Sequence, residues 1–372
     1  MHAEQDVVIY GGGMAGAILA KQLSKDLKVT LVDPRDFFEV PMAVSRNLVE
    51  PAFAEFSTFP FAQALPKVSL VQGSLIKWTH SGGIIKTVQG ETKQIVSRVN
   101  VLATGSQFAD PMLRPTTGTR QERLAFFQRN AILIEQAKRI LIIGGGPVGV
   151  EVAGEISSHY PHIQITLIES GSRILRGTTV AAADHAAKTL TQRNVEILTE
   201  DRLLKLKESV SVKLTRGGSA ITEKGRHIDY DILMKCSGAE PNTSYMKAEF
   251  PDVLDINARI CVTPSLRVVG EHSVFALGDI NNVEENKMAW HVATQVICAE
   301  KNVRSVLSGH LNESDLVAYQ PKTGNPSMAI TLGPDAGILQ LQRFGLITNS
   351  WLNRRIKARH MLVPKYRKIL GV

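Results

Sequence analysis

The sequence predicts an α/β fold. Two Rossmann-like dinucleotide-binding domains, one inserted in the other, are followed by a short C-terminal region. Three observations predict it. A glycine fingerprint G-x-G-x-x-G occurs twice, at Gly11, Gly13 and Gly16 and again at Gly144, Gly146 and Gly149. Each fingerprint follows an apolar run of strand character and leads into a helix-like segment. Each is followed by a strand that ends in an acid, Asp33 at 22 residues after Gly11 and Glu169 at 25 residues after Gly144. Those intervals are close to the roughly 20 residues expected for a carboxylate that binds a ribose hydroxyl.

The first unit opens with Val7-Val8-Ile9-Tyr10 and the turn Gly11-Gly12-Gly13-Met14-Ala15-Gly16. The first glycine makes the tight turn, the second lets a pyrophosphate approach the backbone, and the third lets helix and strand pack closely. The helix then presents free N–H groups and a positive dipole end to the phosphates. Pro34 to Leu65 reads as irregular and rich in Phe and Pro. Val68 to Gly73 reads as a strand, and the Gly82-Gly83 turn begins a small antiparallel ribbon to about Val96. Val99 to Ala103 is a further strand, ending in Thr104-Gly105, where glycine lets the backbone turn beside a ligand.

Pro111, Pro115 and Thr116-Thr117-Gly118 mark the crossing into the second unit. A helix over about Gln121 to Lys138 leads to the strand Ile140 to Ile143 and the second fingerprint, with Pro147 and Val148 inside its turn. The helix that follows carries Glu151 and Glu155. A strand over Gln164 to Ile168, a helix over Ala181 to Arg193, and strands over Val195 to Thr199, Val210 to Leu214 and Asp231 to Cys236 complete the unit. The chain returns to the first domain near Asn242. There Val274 to Leu277 ends in Gly278-Asp279, and Asn286 to Val306 reads as a long helix. The domains predicted are 1–112 with 243–318, then 113–242, then 319–372.

At 372 residues, with 44% hydrophobic and 21% charged residues, the chain has globular values and room for two or three domains. No apolar run reaches the roughly 18 residues needed to span a bilayer. The first six residues lack the basic and apolar parts of a signal peptide, and His2 stands where N-myristoylation requires glycine. Neither a leader nor that lipid anchor is expected, and a cytoplasmic setting is. Cys236, Cys261 and Cys298 are far apart, so no disulfide framework, zinc site or other metal site is expected.

The C-terminal region differs in kind. After Asp335 there are eight bases and no acid, which equals the whole net charge of +8. The bases, among them Arg354, Arg355, Lys357 and Arg359, alternate with Phe344, Trp351, Leu352, Ile356 and other apolar residues. This mix suits peripheral contact with an anionic membrane surface, favoured over nucleic acid by the interleaved apolar residues. A solvated basic face is the plain alternative. Nothing in the sequence decides between monomer and homodimer.

With both fingerprints, Ala103-Thr104-Gly105 and Gly278-Asp279 in place, the chain resembles the two-dinucleotide-binding-domain flavoproteins of the glutathione-reductase-like superfamily. Leu277-Gly278-Asp279, Lys287-Met288-Ala289, Gly149-Val150-Glu151 and the tail with Lys357 and Arg359 look like the branch of apoptosis-inducing-factor-like and ferroptosis-suppressor NAD(P)H:quinone oxidoreductases. Type II NADH dehydrogenases are near relatives. The resemblance implies FAD in the first unit and NADH or NADPH in the second. It places Gly11, Gly13, Ala15, Gly16 and Asp33 on the FAD diphosphate and ribose, Ala103, Thr104 and Gly105 beside FAD, and Gly278 and Asp279 on the ribitol. Lys287, Met288 and Ala289 fall near the flavin ring. Gly144, Gly146, Pro147, Val148, Gly149 and Glu169 fall on the nicotinamide dinucleotide. Glu151 and Lys357 are the implied catalytic side chains. The activity implied is transfer of hydride from the nicotinamide to flavin and of electrons on to a quinone. A protein acceptor such as a ferredoxin or rubredoxin, and a nucleic-acid-binding flavoprotein, are the other readings. Glu169 repels a 2′-phosphate, so NADH is expected over NADPH, with Arg173 near enough to oppose it. His291, one turn past Met288, is a candidate proton relay or a packed histidine.

Overall fold

Strand β1 (Gln5–Tyr10) enters through the polar pair Gln5 and Asp6 and continues as the unbroken apolar run Val7 to Tyr10, because both its faces are covered there, the usual state of a parallel strand. In the computed structural model it lies inside a seven-stranded sheet. The structure describes residues 5–107, 110, 112–115, 118–204, 217–324, 327–341 and 345–372. Helix α1 (Met14–Leu23) follows β1, and strand β2 (Val29–Asp33) pairs parallel with it, Val7 opposite Val29. The stretch read as irregular holds short pieces, including helix α2 (Val44–Asn47). Strand β3 (Ser69–Thr79) runs parallel to β2 over its first residues. It then turns outward with β4 (Gly82–Thr87) and β5 (Thr92–Gln94) as the expected antiparallel ribbon. Strand β6 (Ser97–Leu102) closes on the other side of β1.

Helix α3 (Arg120–Gln136) carries the chain across, its start fixed by Thr119 and Glu122, which cap each other's backbone N–H. The second sheet is all parallel in the order β9-β8-β7-β10. It is made of β7 (Arg139–Ile143), β8 (Gln164–Ile168), β9 (Val195–Leu198) and β10 (Ile232–Lys235), with helices α4 (Pro147–His159) and α5 (Val180–Thr191) between them. The expected crossing residues Pro111, Thr116 and Thr117 and the expected strand over Val210 to Leu214 lie outside the described residues, as does Phe344.

The chain rejoins the first sheet at strand β11 (Val274–Ala276), which pairs with β6. Helix α6 (Ala289–Leu307) then packs beside α1. Strands β12 (Met328–Thr331), β13 (Gly337–Leu341) and β14 (Gly345–Ile347) form an antiparallel sheet against α4. A π-turn over Arg354–Ala358 and a sharp bend at Met361 and Leu362, both in the left-handed backbone region, lead into helix α7 (Val363–Leu370). Its apolar side, Val363, Tyr366 and Leu370, is buried in the same core as Val7, Ile9 and Leu23.

The two parallel sheets repeat one plan. The strand carrying the glycine turn is flanked on one side by the strand ending at the acid. On the other side lies the strand ending at a second turn. Between those two neighbours the strand order reverses, and ligands of open α/β sheets bind at such crevices. Among the described residues, no helix is long and apolar enough to cross a membrane.

Candidate functional site

The first cradle is set by three glycines with three different surroundings. Gly11 has φ +107°, and a Cβ there would lie 2.3 Å from the Ala103 carbonyl oxygen. A Cβ on Gly16 would lie 1.8 Å from the Gly11 carbonyl oxygen. A Cβ on Gly13, at the N-cap of α1, would meet nothing within 4 Å. Two glycines are therefore demanded by the fold. The third, next to Met14, Ala15 and the unpaired N–H groups of the helix, leaves open room for an anion. The Gly12 N–H donates to Asp33 Oδ2 at 2.6 Å, and Arg35 forks onto the same buried carboxylate at 2.9 and 3.0 Å.

The Ala103-Thr104-Gly105 turn closes the next side. Thr104 Oγ1 donates to the Asn242 carbonyl at 2.7 Å and Asn242 Nδ2 donates to the Thr104 carbonyl at 3.0 Å. Asp279 accepts from Ser106 Oγ at 2.6 Å, with Arg114 3.9 Å away. Gly278 has φ +78°, and its N–H donates to the buried Gln295 at 2.8 Å. Gly278, Asp279, Lys287, Met288, His291 and Gln295 line one narrow cleft here, and Ala289 starts α6 next to Met288. Lys287 Nζ donates to Asn281 Oδ1 at 2.9 Å and to the Val283 carbonyl at 3.0 Å. Burial lowers its pKa to about 8. His291 is buried, and its Nδ1–H is held on the Asn286 carbonyl at 2.8 Å. A carbonyl only accepts, so Nδ1 is the nitrogen that carries a hydrogen in this contact.

The second cradle repeats the first. Gly144 has φ +106°, a Cβ on Gly149 would lie 2.0 Å from the Gly144 carbonyl oxygen, and a Cβ on Gly146 would meet nothing within 4 Å. Pro147 takes the first helical position, where its missing N–H costs nothing, and Val148 follows. The Gly145 N–H donates to Glu169 Oε2 at 2.8 Å, and the Gly171 N–H donates to Oε1 at 2.8 Å. Arg173 is spent on the carbonyls of Leu175, Arg176 and Thr178. Arg176 is the base that meets Glu169, at 3.3 Å.

Helix α4 links this cradle to the C-terminal region. Lys357 Nζ donates to Glu151 Oε1 at 2.5 Å and to the Ala329 carbonyl at 2.8 Å. The Thr331 N–H donates to the same Glu151 oxygen at 3.0 Å. Arg359 is exposed, so of the two tail bases only Lys357 joins the site. One turn along α4, Glu155 is fully buried and takes both arms of Arg46 at 2.6 and 3.0 Å. Burial pushes the Glu155 carboxyl up while Arg46 draws it down. Another turn on, His159 Nε2 lies 2.6 Å from Glu50, which raises the imidazole pKa.

Glu151 and Lys357, both singled out through the resemblance, lie together in the structure, a contact that nothing in the sequence places. Arg35, Arg46 and Arg114 were not singled out, since all three sit in loops or a one-turn helix without a periodic pattern. A signal for Arg46 did exist: two acids four apart on an otherwise apolar helix require cations from elsewhere.

The sequence model of the pyridine nucleotide-disulphide oxidoreductases matches residues 5–296. Apoptosis-inducing factor homolog B of Dictyostelium discoideum is 28% identical, over 97% of this chain and 95% of its own. Ferroptosis suppressor protein 1 of Mus musculus is 27% identical, over 96% and 93%. The structure of NDH2 from Plasmodium falciparum in complex with NADH superposes with a TM-score of 0.69 at 12% identity, covering 98% of both chains. Proteins of this kind use FAD with NAD(P)H, and the two cradles with open space at Gly13 and Gly146 fit two dinucleotides. The fold, the duplicated glycine cradle and the span of the match make this chain a member of the pyridine nucleotide-disulphide oxidoreductase family.

Proposed function

We propose that the chain is an FAD-dependent oxidoreductase that takes electrons from NADH and passes them to a quinone-type acceptor at a membrane surface. FAD sits in the unit formed by 1–112 and 243–318, NADH in 113–242, and 319–372 supplies Lys357. The observation that carries the reading is the Glu151–Lys357 pair. It lies one turn inside the helix whose N-terminus forms the second cradle, and it is shut away from water. Bound FAD supplies the two-electron chemistry. Glu151 and Lys357 hold a proton there and orient what docks against α4. Asp33 and Asp279 hold the hydroxyl-bearing parts of FAD, and Glu169 holds the ribose of NADH.

The acceptor is read from the thiols and the rim. Cys236 and Cys298 are buried and Cys261 partly so, burial pushes all three thiols up, and the three stand 25 or more positions apart with no C-x-x-C pair, which gives no support to a redox disulfide. Trp290 is 63% exposed two residues after Met288, and Trp351 is 65% exposed. Lys365 lies over the Trp290 ring and Arg355 over the Trp351 ring. Indole and ammonium together suit a headgroup layer beside the pocket and a lipid-borne acceptor.

The test is anaerobic mixing of the FAD-loaded protein with NADH, followed by a short-chain ubiquinone. Fast bleaching of the flavin band and fast recovery are expected. Bleaching without recovery by the quinone overturns the acceptor; no bleaching overturns the NADH reading.

A further inference from the structure

Arg46 stands outside both cradles, yet it touches the neighbour of each member of the catalytic pair. Its Nε and Nη2 fork onto Glu155, one turn after Glu151 on α4. Nη2 also donates to the Ala358 carbonyl at 3.0 Å, on the residue next to Lys357. The residue is 3% exposed. It comes from α2, a part of the first unit that packs against α4. A planar fork with a further N–H ties two other segments to its own at once, and an ammonium does not have that geometry.

We propose that Arg46 is a positioning residue for the Glu151–Lys357 pair, fixing helix and tail against the first unit so that the 2.5 Å contact is made. The proposal rests on the placement of Glu151 and Lys357 at the site of electron transfer. The other charges that face Glu155 make no fork onto it. Glu151 is on Lys357, and His159 has its Nε2 on Glu50 and its Nδ1 3.9 Å from Glu155 Oε2, while Arg193 acts on Glu155 through its charge alone. Arg46 alone among the described side chains forks onto the Glu155 carboxylate.

The test uses the FAD-loaded full chain as R46K and as the double variant R46Q/E155Q. The double variant removes both charges together and so avoids a lone buried carboxylate. Acetylation of Lys357 by acetic anhydride, followed by mass spectrometry, reports whether the pair is still made. Lys287 serves as the internal control. In R46Q/E155Q, Lys357 labelling is expected to rise by about fivefold with Lys287 unchanged. NADH bleaching of the flavin is expected to slow by about tenfold to a hundredfold, the cost of a misplaced group. R46K, which keeps the charge and loses the fork, is expected to be slowed as well, and that separates positioning from charge. A folded R46Q/E155Q with wild-type labelling and bleaching overturns the proposal, as does full activity in R46K. If K357M itself bleaches at the wild-type rate, the placement of the pair fails first and the proposal falls with it.

Discussion

Lys357 and Glu151 are 206 positions apart in sequence and 2.5 Å apart in space, and each is under a tenth exposed. The lysine rides on a π-turn, a local widening of the helix that recurs at functional sites. A second of its three N–H donors goes to the Ala329 carbonyl, and the Glu151 oxygen is shared with the Thr331 N–H. Helix α4, strand β12 and the tail therefore meet at one ion pair.

Breaking that pair strands a buried charge. Lys357→Met is expected to lower unfolding stability by about 3–5 kcal/mol, because Glu151 keeps its desolvation cost and loses its cation. Stability is measured by urea unfolding of the FAD-loaded protein. Bleaching by NADH is expected to slow by about a hundredfold, the scale of one positioned proton-transfer group. The double change E151L/K357M is expected to recover most of the stability and none of the rate.

The glycines of each fingerprint separate folding from binding. Gly16→Ala places a methyl on the Gly11 carbonyl and is expected to cost about 3 kcal/mol or more in stability. Gly13→Ala meets no neighbour and keeps its extended backbone, so stability is expected to hold. Its methyl occupies the open space over the helix N-terminus. FAD affinity, followed by flavin fluorescence, is expected to fall by about tenfold, or roughly 1.4 kcal/mol.

The acid at the second cradle sets the choice of nicotinamide. Glu169 accepts from two backbone N–H groups and faces Arg176, while Arg173 is tied to carbonyls. A 2′-phosphate therefore meets a carboxylate, and kcat/KM is expected to favour NADH. Glu169→Gln is expected to raise kcat/KM for NADPH relative to NADH by about tenfold, with Arg176 left as the phosphate partner. Arg176→Ala in that background is expected to reverse the gain.

Lys287 gives the pH dependence of stability a signature. Its pKa falls to about 8 on folding from an ordinary value of 10.5, so the unfolded chain binds more protons between the two values. Stability from this group therefore rises as pH climbs through about 8 towards 10.5. Thermal unfolding of the wild type across that window is expected to show the rise, and Lys287→Met is expected to flatten it.

The glycine cradles were legible because their chemistry is local. The turn, the helix start and the acid lie within one strand-helix-strand unit, and the hydrophobic pattern marks its borders. Lys357 was named only through resemblance, and its inward turn was illegible, since nothing in a basic tail says which base folds back. The tail also misleads when read alone. Its amphipathic pattern suits a surface, but the apolar face of α7 is used inside the protein, and Trp351 rather than Tyr366 is left outside. Deleting the tail would therefore remove part of the core along with any surface contact. The acids of α4 called for a cation, but which one was illegible, because the one-turn helix of Arg46 carries no period and its partner is 109 residues away.

The first core draws residues from Val7 to Leu370, whereas the second sheet is assembled from one continuous stretch of chain. During synthesis the opening strands emerge first but must wait for the last helix. The inserted unit has all its strands to hand while the ribosome is still at work. The inserted unit can thus close before the first, and α1 waits for α6 and then α7 to cover it. A chain cut short of α7 leaves the core of Val7, Ile9 and Leu23 without part of its cover, and uncovered apolar surface of that kind favours aggregation.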